Sequence, residues 1–292
     1  MIYYLYEWLK PYNIPGIGMT QYISFRTAGS IRFSLIITII YGKRLIQFLR
    51  IKQIGEEVRD LGLEGQLQKK GTPTMGGIII LAGILIPTLL FARINNTYII
   101  LMLATTVWLG LIGFADDYIK VFQKNKKGLA GKFKIMGQIS LGLMVVATLL
   151  FSPDVVVREP VRDASGATLK ELVTDPETGV QRVQPVTHEV KSTKTTIPFI
   201  KSNEFDYEWL VAFAGESASW LKWLVYAVAI ILIIVSVSNA SNLTDGVDGL
   251  ATGTSAISGA SLGILAYVSG NIIYSNYLGI MYIPNLGELT VF

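Results

Sequence analysis

The sequence predicts an all-α polytopic membrane protein with about six membrane-spanning helices, the start of a seventh and a small β-rich extracytoplasmic insertion. Hydrophobic residues make up 51% of the 292 residues and charged residues only 16%. Mean hydropathy is +0.48, and charge-free windows of about 20 residues recur along the chain. One soluble domain of this length can hardly bury so much apolar surface, so most of it must face lipid.

The predicted spans are windows without Asp, Glu, Lys or Arg. They are 71–92, 94–115, 135–153 and 223–244. The charge-free window 249–287 is long enough for one span, a turn near Gly270-Asn271 and the start of another span. An earlier segment, 22–41, is included although Arg26 and Arg32 interrupt it, because Arg32 can snorkel toward an interface.

Loop charges predict the orientation, since cytoplasmic loops carry an excess of Lys and Arg. The connections 43–70 and 120–134 are rich in these residues and are predicted to be cytoplasmic. By alternation, the amino terminus, the short link 93–97 and the long polar stretch 154–222 are predicted to lie outside. The basic residues of that stretch count for little, because long domains translocate largely regardless of charge.

The outside stretch carries signals for β-structure. Residues 155–199 alternate β-branched and polar residues, and turn sequences begin at Asp163 and Asp175. The chain therefore divides into three predicted parts. They are a membrane domain at 1–153, a β-rich extracytoplasmic insertion at 154–208 and a second membrane domain at 209–292.

Two acidic clusters, far apart in the sequence, are predicted to share the cytoplasmic face. Asp116 and Asp117 lie at the inner end of the third span, and Asp245 with Asp248 at the inner end of the fifth. A carboxylate at a helix C-terminus lies at the negative end of the helix dipole, and each one is destabilising by ~0.3–1 kcal/mol unless a cation lies close to it. Lys120 can form an ion pair with at least one of them if the helix continues. An alternative is that Asp116-Asp117 only mark the end of a span.

The second cluster has a regular spacing. Asn239, Asn242, Asp245 and Asp248 recur at every third residue, which keeps them on roughly one side of a helical segment. Gly246 directly follows Asp245 and permits a helix break or a close approach by a phosphate. Carboxylate and carbonyl oxygens suit Mg²⁺, which often bridges to substrate phosphates. The alternative is an ordinary Asn/Asp/Gly loop after a span.

The first cytoplasmic connection supplies the opposite charge. Lys69-Lys70 precede GTPTMGG, in which Thr74 offers a hydroxyl and the glycines leave backbone amides accessible to phosphate oxygens. The segment is not a P-loop, because the spacing and the Gly-Lys-Ser/Thr end are missing. Lys132 and Lys134 add positive charge at the same face, although anionic lipid headgroups could be their only partners.

Four motifs together resemble bacterial phospho-N-acetylmuramoyl-pentapeptide transferase. They are KKGTPTMGG at 69–77, GFADDYIKV at 113–121, KGLAGKFK at 127–134 and SNASNLTDGVDGLA at 238–251. Their order and predicted topology make the resemblance specific, and it spans the chain apart from 154–222. Paralogous polyprenyl-phosphate N-acetylhexosamine-1-phosphate transferases share the acidic pair, but GTPTMGG and NLTDG favour the muramoyl-pentapeptide branch.

The resemblance implies an enzyme that transfers phospho-MurNAc-pentapeptide from UDP-MurNAc-pentapeptide to undecaprenyl phosphate. The products are UMP and lipid I, the first membrane-bound peptidoglycan precursor. It also implies Mg²⁺ dependence and a place in the bacterial cytoplasmic (inner) membrane, with the active site facing the cytoplasm. The two substrates and the lipid bilayer are the expected partners, nucleic acid is not, and a homodimer stays open.

The resemblance also implies roles for individual residues. Asp116 and Asp117 match the acidic pair near the lipid phosphate, and Asp245 matches the third acidic active-site residue. Asp117 and Asp245 are the expected Mg²⁺ ligands. The polar and basic substrate-binding residues are Lys70, Thr74, Lys120, Lys132 and Asn242. The residues at the position of the uridine moiety are Gly246, Val247 and Asp248.

One departure concerns the end of the chain. It ends at Phe292, before the region where the family carries another acidic Mg²⁺ ligand and a histidine cluster. The sequence is therefore expected to be an amino-terminal portion that is inactive alone. Robust transfer by the purified 292-residue chain with Mg²⁺ would contradict this expectation.

The chemistry favours direct attack by the lipid phosphate. Phosphoryl transfer depends mainly on positioning and charge neutralisation, and a phosphate monoester with a second pKa of ~6 is largely dianionic at neutral pH. Asp117, or failing that Asp116, would orient or deprotonate the acceptor. A covalent aspartyl intermediate is the competing mechanism. The alternatives of other classes are a structural scaffold and an ion-coupled transporter, whose site usually lies near the bilayer midplane.

Overall fold

The structure is a computed structural model that consists mainly of helices. It describes residues 1–12, 14–51, 75–123, 125, 127–161, 163, 165, 167, 169–174, 181–197, 204–214, 220–245 and 249–292. The helices are α1 (Ile2–Leu9), α2 (Ile23–Ile51), α3 (Gly77–Phe91), α4 (Thr97–Phe122), α5 (Gly131–Phe151), α6 (Trp220–Thr244), α7 (Leu250–Ser269) and α8 (Ile272–Leu278). The strands are β1 (Val157–Pro160), β2 (Lys170–Thr174), β3 (Gln181–Pro185), β4 (Thr187–Val190), β5 (Lys194–Thr196) and β6 (Glu204–Asp206).

The long apolar helices confirm the predicted class of polytopic membrane protein. Five of the described helices, α2, α4, α5, α6 and α7, are long and apolar enough to cross a bilayer. The remaining predicted span, 71–92, corresponds to α3, whose 15 residues reach about 22 Å. α2 and α4 continue beyond their predicted windows at their carboxyl ends. They can do so because long basic side chains such as Lys43 and Lys120 keep their charges at an interface while the helix goes on.

The structure corrects the prediction that a seventh span starts after Gly270-Asn271. The turn at Gly270-Asn271 is present, with Gly270 ending α7 and the Asn271 side chain capping α8. However, α8 has only seven residues, about 10 Å, and Gly279 ends it in the left-handed conformation. The chain then turns back, and the 3₁₀ segment Leu286–Val291 packs against α7 and α2.

Close contacts at glycines join consecutive helices. A Cβ on Gly83 of α3 would lie 2.9 Å from Thr38 of α2. A Cβ on Gly137 of α5 would lie 2.4 Å from the Ile112 side chain of α4. α5 also packs closely on α6, where Gly142 contacts the Ile231 side chain. Small residues let helix backbones approach closely, which is how helices pack inside a membrane. α5 consequently lies between α4 and α6.

The described residues of the predicted β-rich insertion form three antiparallel strand pairs, β1–β4, β2–β3 and β5–β6. The predicted turn at Asp163 is present, since its Oδ1 accepts hydrogen bonds from the backbone amides of Ser165 and Ala167. The turn sequence at 175–179 lies outside the described residues. Arg158 of β1 donates its backbone N–H to Tyr282, which ties the insertion to the segment after α8. The domain boundaries and the outside location stay predictions.

Candidate active site

Asp116 is a buried carboxylate in the last turns of α4, with 8% of the residue exposed. Its Oδ2 lies 2.8 Å from Lys120 Nζ, which confirms the predicted pairing along the helix. Its Oδ1 lies 2.9 Å from Lys134 Nζ on α5 and accepts a 2.7 Å hydrogen bond from the Leu129 backbone amide. Two cations and one backbone amide therefore stabilise the negative charge of Asp116, which the helix dipole disfavours at this position.

The loop between α4 and α5 lies directly on this carboxylate. Its turn is built by Asn125, whose carbonyl accepts from the Gly128 amide and whose Oδ1 accepts from the Lys127 amide. Gly128 has a φ of +64°, in the left-handed region. A Cβ at this position would lie 2.5 Å from Asp116 Oδ1 and 2.8 Å from Lys120 Cε. The loop can cover Asp116 this closely only because residue 128 has no side chain.

The ion pair between Lys134 and Asp116 was not predicted from the sequence. The prediction chose Lys132 from the same motif, and the structure places Lys132 Nζ over the Phe133 ring at 5.2 Å. Residues two apart on a helix do not share a face. Because both lysines lie on α5, which begins at Gly131, only one of them can face Asp116. Which one does so depends on the rotation of α5 toward α4, for which the sequence carries no signal.

Asp117 is the neighbour of Asp116 on α4 and is partly exposed. Successive residues on a helix do not face one another, so the two carboxylates point to different sides of α4. The structure thus separates a buried, lysine-bound Asp116 from a more accessible Asp117.

The second cluster lies at the carboxyl end of α6. Asn242 and Asp245 are exposed, and the Asp245 backbone N–H bonds to the carbonyl of Ser241 at 3.1 Å. Gly246, Val247 and Asp248 lie outside the described residues, and so do Lys70 and Thr74. Gly249, with a φ of +80°, directly precedes α7. α6 ends at Thr244, which agrees with the predicted helix end at this point.

Asn239 has a different role from the one its spacing predicts. Its Nδ2 donates to Gln138 Oε1 on α5 at 2.9 Å, and Gln138 Nε2 donates to Ser238 Oγ at 3.0 Å. Asn239 therefore holds α6 to α5 through the buried side chain of Gln138. Sequence reasoning missed Gln138, although a lone glutamine in an apolar span is the kind of residue that bonds across helices.

α5 thus connects the two acidic clusters. It contacts Asp116 of α4 through Lys134, and it contacts Ser238 and Asn239 of α6 through Gln138. Trp108 Nε1 adds a 2.9 Å hydrogen bond to the carbonyl of Gly137. The ends of α4 and α6 that carry the aspartates are both attached to the first turns of one helix.

The donor chemistry of Asp117 and Asp245 fits Mg²⁺. Among the residues that the structure describes, no group of three or more Asp, Glu or His is arranged to hold a metal. Mg²⁺ does not require such a group, because it is usually bound by one or two carboxylates together with waters and substrate phosphates. Asp245 is exposed and offers hard oxygen ligands of this type. The assignment of Asp117 and Asp245 as ligands stays a prediction.

Two cavities lie away from these residues. One, of about 150 Å³, is lined by Asn96 and Asp154 among others, and the second, of about 340 Å³, lies between α2 and α3 beside Arg44. Neither is lined by a predicted site residue.

Comparison with known proteins shows the relatives of this chain. A glycosyl transferase family 4 model matches residues 181–291, and signature 1 of phospho-N-acetylmuramoyl-pentapeptide-transferase matches residues 69–81. Curated relatives that match over the whole of this chain carry the name phospho-N-acetylmuramoyl-pentapeptide-transferase. The Flavobacterium johnsoniae relative is 54% identical over 293 residues, covering 100% of this chain and 70% of the relative. The Parabacteroides distasonis relative is 52% identical over 295 residues, covering 100% and 67%. The Flavobacterium psychrophilum relative is 53% identical over 293 residues, covering 100% and 70%.

These alignments extend further than the motif resemblance. The four motifs leave out residues 154–222, whereas the alignments run over 100% of this chain and so cross that stretch. The insertion therefore lies within the region that aligns with these relatives.

Proposed function

Because this chain belongs to the phospho-N-acetylmuramoyl-pentapeptide-transferase family, we propose that it transfers phospho-MurNAc-pentapeptide from UDP-MurNAc-pentapeptide to undecaprenyl phosphate. The products are lipid I and UMP, and the reaction takes place at the cytoplasmic face of the bacterial inner membrane. The observation that carries the proposal is the charged cluster at the end of α4, where Lys120 and Lys134 flank buried Asp116.

The position of this site suits a substrate that is a lipid phosphate. α4 is an apolar helix long enough to cross the bilayer, and Asp116 lies in its last turns. A polyprenyl chain remains in the hydrocarbon while its phosphate lies at the interface, where these helix ends are expected. Lysines at that level can offset the charge of the phosphate.

The exposed carboxylates have complementary roles in the proposal. Asp117 orients the lipid phosphate or accepts its remaining proton. Asp117 and Asp245 would hold Mg²⁺, which would supply charge neutralisation for the diphosphate. The remaining substrate contacts are assigned to Lys70, Thr74, Lys120, Lys132 and Asn242. The uridine moiety is assigned to Gly246, Val247 and Asp248.

The proposed reaction is a single displacement. An oxygen of the lipid phosphate forms a bond to the β-phosphorus of UDP-MurNAc-pentapeptide, and the bond from that phosphorus to the bridging oxygen breaks. UMP leaves with the bridging oxygen and its electron pair. A phosphate that is largely dianionic at neutral pH needs little activation, so positioning and charge neutralisation provide most of the catalysis. A muramoyl-phosphate adduct trapped on an aspartate without the lipid acceptor would contradict this mechanism.

The proposal is tested by measuring UMP release by the protein at its full natural length, with and without undecaprenyl phosphate. Release is expected only with the lipid, and Asp117→Asn and Asp245→Asn are each expected to lower it about 100-fold or more. Asp206→Asn is the control, because Asp206 belongs to β6 of the insertion. Unchanged release in both site variants would contradict the proposal. Release from a UDP-N-acetylhexosamine in place of the muramoyl donor would show the donor specificity of the paralogous transferases.

A further inference from the structure

The 3₁₀ segment Tyr207–Ala214 follows β6 of the insertion and carries large apolar side chains on its exposed side. We propose that this segment, here called the anchor segment, is a membrane-binding surface. It lies in the interfacial region of the bilayer beside the amino-terminal end of α6, and it holds the adjoining end of the insertion there. The partner of its exposed side is the lipid of the leaflet that is the outer one in the predicted orientation. None of the residues assigned to the proposed reaction takes part.

One side of the anchor segment packs on the first turns of α6. The rings of Tyr207 and Tyr226 meet edge to face, with their centroids 5.4 Å apart. Lys222 Nζ lies 3.0 Å from Glu208 Oε2. Residues three apart share a face of a 3₁₀ helix, and Val211, three residues after Glu208, is buried. The face that carries Glu208 and Val211 is therefore the inner face of the segment.

The contacts with α6 set the level of the anchor segment in the membrane. α6 has 25 residues, about 37 Å, whereas the hydrocarbon core of a bilayer is about 30 Å thick. Lys222 is the only charged residue of α6, and a lysine at the end of a span keeps its ammonium group among the lipid headgroups. Tyr226 lies one turn deeper, by about 6 Å. Because the segment contacts both residues, it lies at the boundary between headgroups and hydrocarbon.

The exposed side of the anchor segment is apolar. Trp209 is 63% exposed and Leu210 is 52% exposed. Glu208 is the only charged residue in the sequence of the segment, and its carboxylate is paired with Lys222. Tryptophan favours the membrane interface, because its ring is apolar and its N–H can bond to water or to headgroups. A lipid surface therefore fits this side, and interfacial segments of this kind bury their apolar side by about 5–10 Å.

The anchor segment also contacts the insertion. The Phe205 ring of β6 lies 5.2 Å from the Tyr207 ring and 6.1 Å from the Trp209 ring. β6 pairs with β5, and Lys194 of β5 forms an ion pair with Glu159 of β1 at 2.7 Å. The contacts thus run from the segment through the β5–β6 pair to β1. Lipid binding by the segment consequently holds this end of the insertion at the membrane surface.

Fluorescence quenching tests the position of Leu210. Leu210→Cys, in a cysteine-free form of the protein at its full natural length, is labelled with a fluorophore and reconstituted in vesicles of phosphatidylethanolamine and phosphatidylglycerol. Leu172→Cys is the matched control, because Leu172 is also exposed, at 67%, but belongs to the β2–β3 pair. Compared with the Leu172 label, the Leu210 label is expected to be quenched about threefold less by iodide in the water and about threefold more by a nitroxide at the lipid headgroup.

Two outcomes of this measurement would overturn the proposal. One is equal quenching of the two labels by the lipid nitroxide. The other is protection of the Leu210 label from iodide without quenching by the lipid nitroxide, because protein and not lipid would then cover Leu210. Elution from a sizing column and the melting temperature show whether each labelled variant is folded.

A measurement without a label decides the question if Leu210→Cys does not fold. Trp209→Phe keeps an aromatic ring in the anchor segment, and the emission that it removes is that of Trp209. Lipids brominated near the headgroup are expected to quench this emission about twofold more than lipids brominated near the bilayer centre. Stronger quenching by the deep bromine, or quenching by iodide and not by either lipid, would contradict the interfacial position.

Discussion

Arg26 and Glu288 are 262 residues apart in the sequence and form a bidentate ion pair inside the helix bundle, with distances of 2.7 and 2.5 Å. The arginine side chain is only 1% exposed. Arg26 Nη1 also donates to the carbonyl of Phe91, and Glu288 Oε2 accepts from the backbone amide of Arg93. This pair joins α2, the link between α3 and α4, and the 3₁₀ segment Leu286–Val291.

Glu288→Gln is expected to destabilise the protein by about 3–5 kcal/mol, because it leaves the Arg26 charge buried without its partner. Glu189→Gln is the matched control, since Glu189 pairs with Arg158 at the surface and an exposed pair contributes at most about 1 kcal/mol. Unfolding by denaturant in detergent measures both. Equal losses of stability in the two variants would contradict a structural role for the buried pair.

Gln138→Leu is expected to loosen the contact between α5 and α6, because it removes hydrogen bonds to Ser238 and Asn239. Hydrogen bonds between membrane helices contribute about 0.6 kcal/mol on average and up to about 1.7, so a loss of roughly 1–3 kcal/mol is expected for two. Thr106→Val is the control, since Thr106 bonds only to the carbonyl of Met102 in its own helix. A melting temperature equally lowered in both variants would argue against the interhelical role.

Asn96→Ala is expected to destabilise the start of α4 by about 1–2 kcal/mol. The Asn96 side chain accepts hydrogen bonds from the amides of Tyr98 and Ile99 and donates to the carbonyl of Asn285. Asn96→Asp keeps the acceptor but loses that donor, so an intermediate loss of stability is expected. The predicted order of stability would be wrong if thermal unfolding showed Asn96→Asp to be less stable than Asn96→Ala.

The predicted orientation can be tested by thiol labelling, because the chain has no cysteine. A cysteine at Ser165, in the insertion, is expected to react with a membrane-impermeant maleimide in intact spheroplasts. A cysteine at Lys127, in the loop between α4 and α5, is expected to react only after permeabilisation. The cysteine-free parent measures background labelling. The reverse pattern would invert the topology and place the acidic clusters outside.

Removal of Mg²⁺ by a chelator is expected to abolish UMP release, and added Mg²⁺ to restore it. If Asp245 is a ligand, Asp245→Asn is expected to raise the Mg²⁺ concentration for half-maximal activity by about tenfold or more. Asp206→Asn provides the comparison, because Asp206 accepts a hydrogen bond from the Glu208 amide in the insertion. An Asp245→Asn variant with residual activity and an unchanged Mg²⁺ requirement would remove Asp245 from the ligand set.

Local patterns in the sequence determined most of the helices and part of the site. Charge-free windows locate α3 to α7 because a helix in lipid must be apolar over its length, whichever helices surround it. The turn at Gly270-Asn271 and the pairing of Asp116 with Lys120 are also local, since each depends on residues within one or two helical turns. Family motifs carried the functional prediction for the same reason: they are short and can be read without the fold.

Only the tertiary structure decided which residues meet across helices. The choice of Lys134 over Lys132 depends on where α5 begins and how it is rotated toward α4. The contact of Asn239 with Gln138 depends on the packing of α5 against α6. An apolar window gives the length of a helix but neither its rotation nor its neighbours, because every face of it is hydrophobic enough for lipid. Contacts between distant residues, such as Arg26 with Glu288, follow from that packing alone.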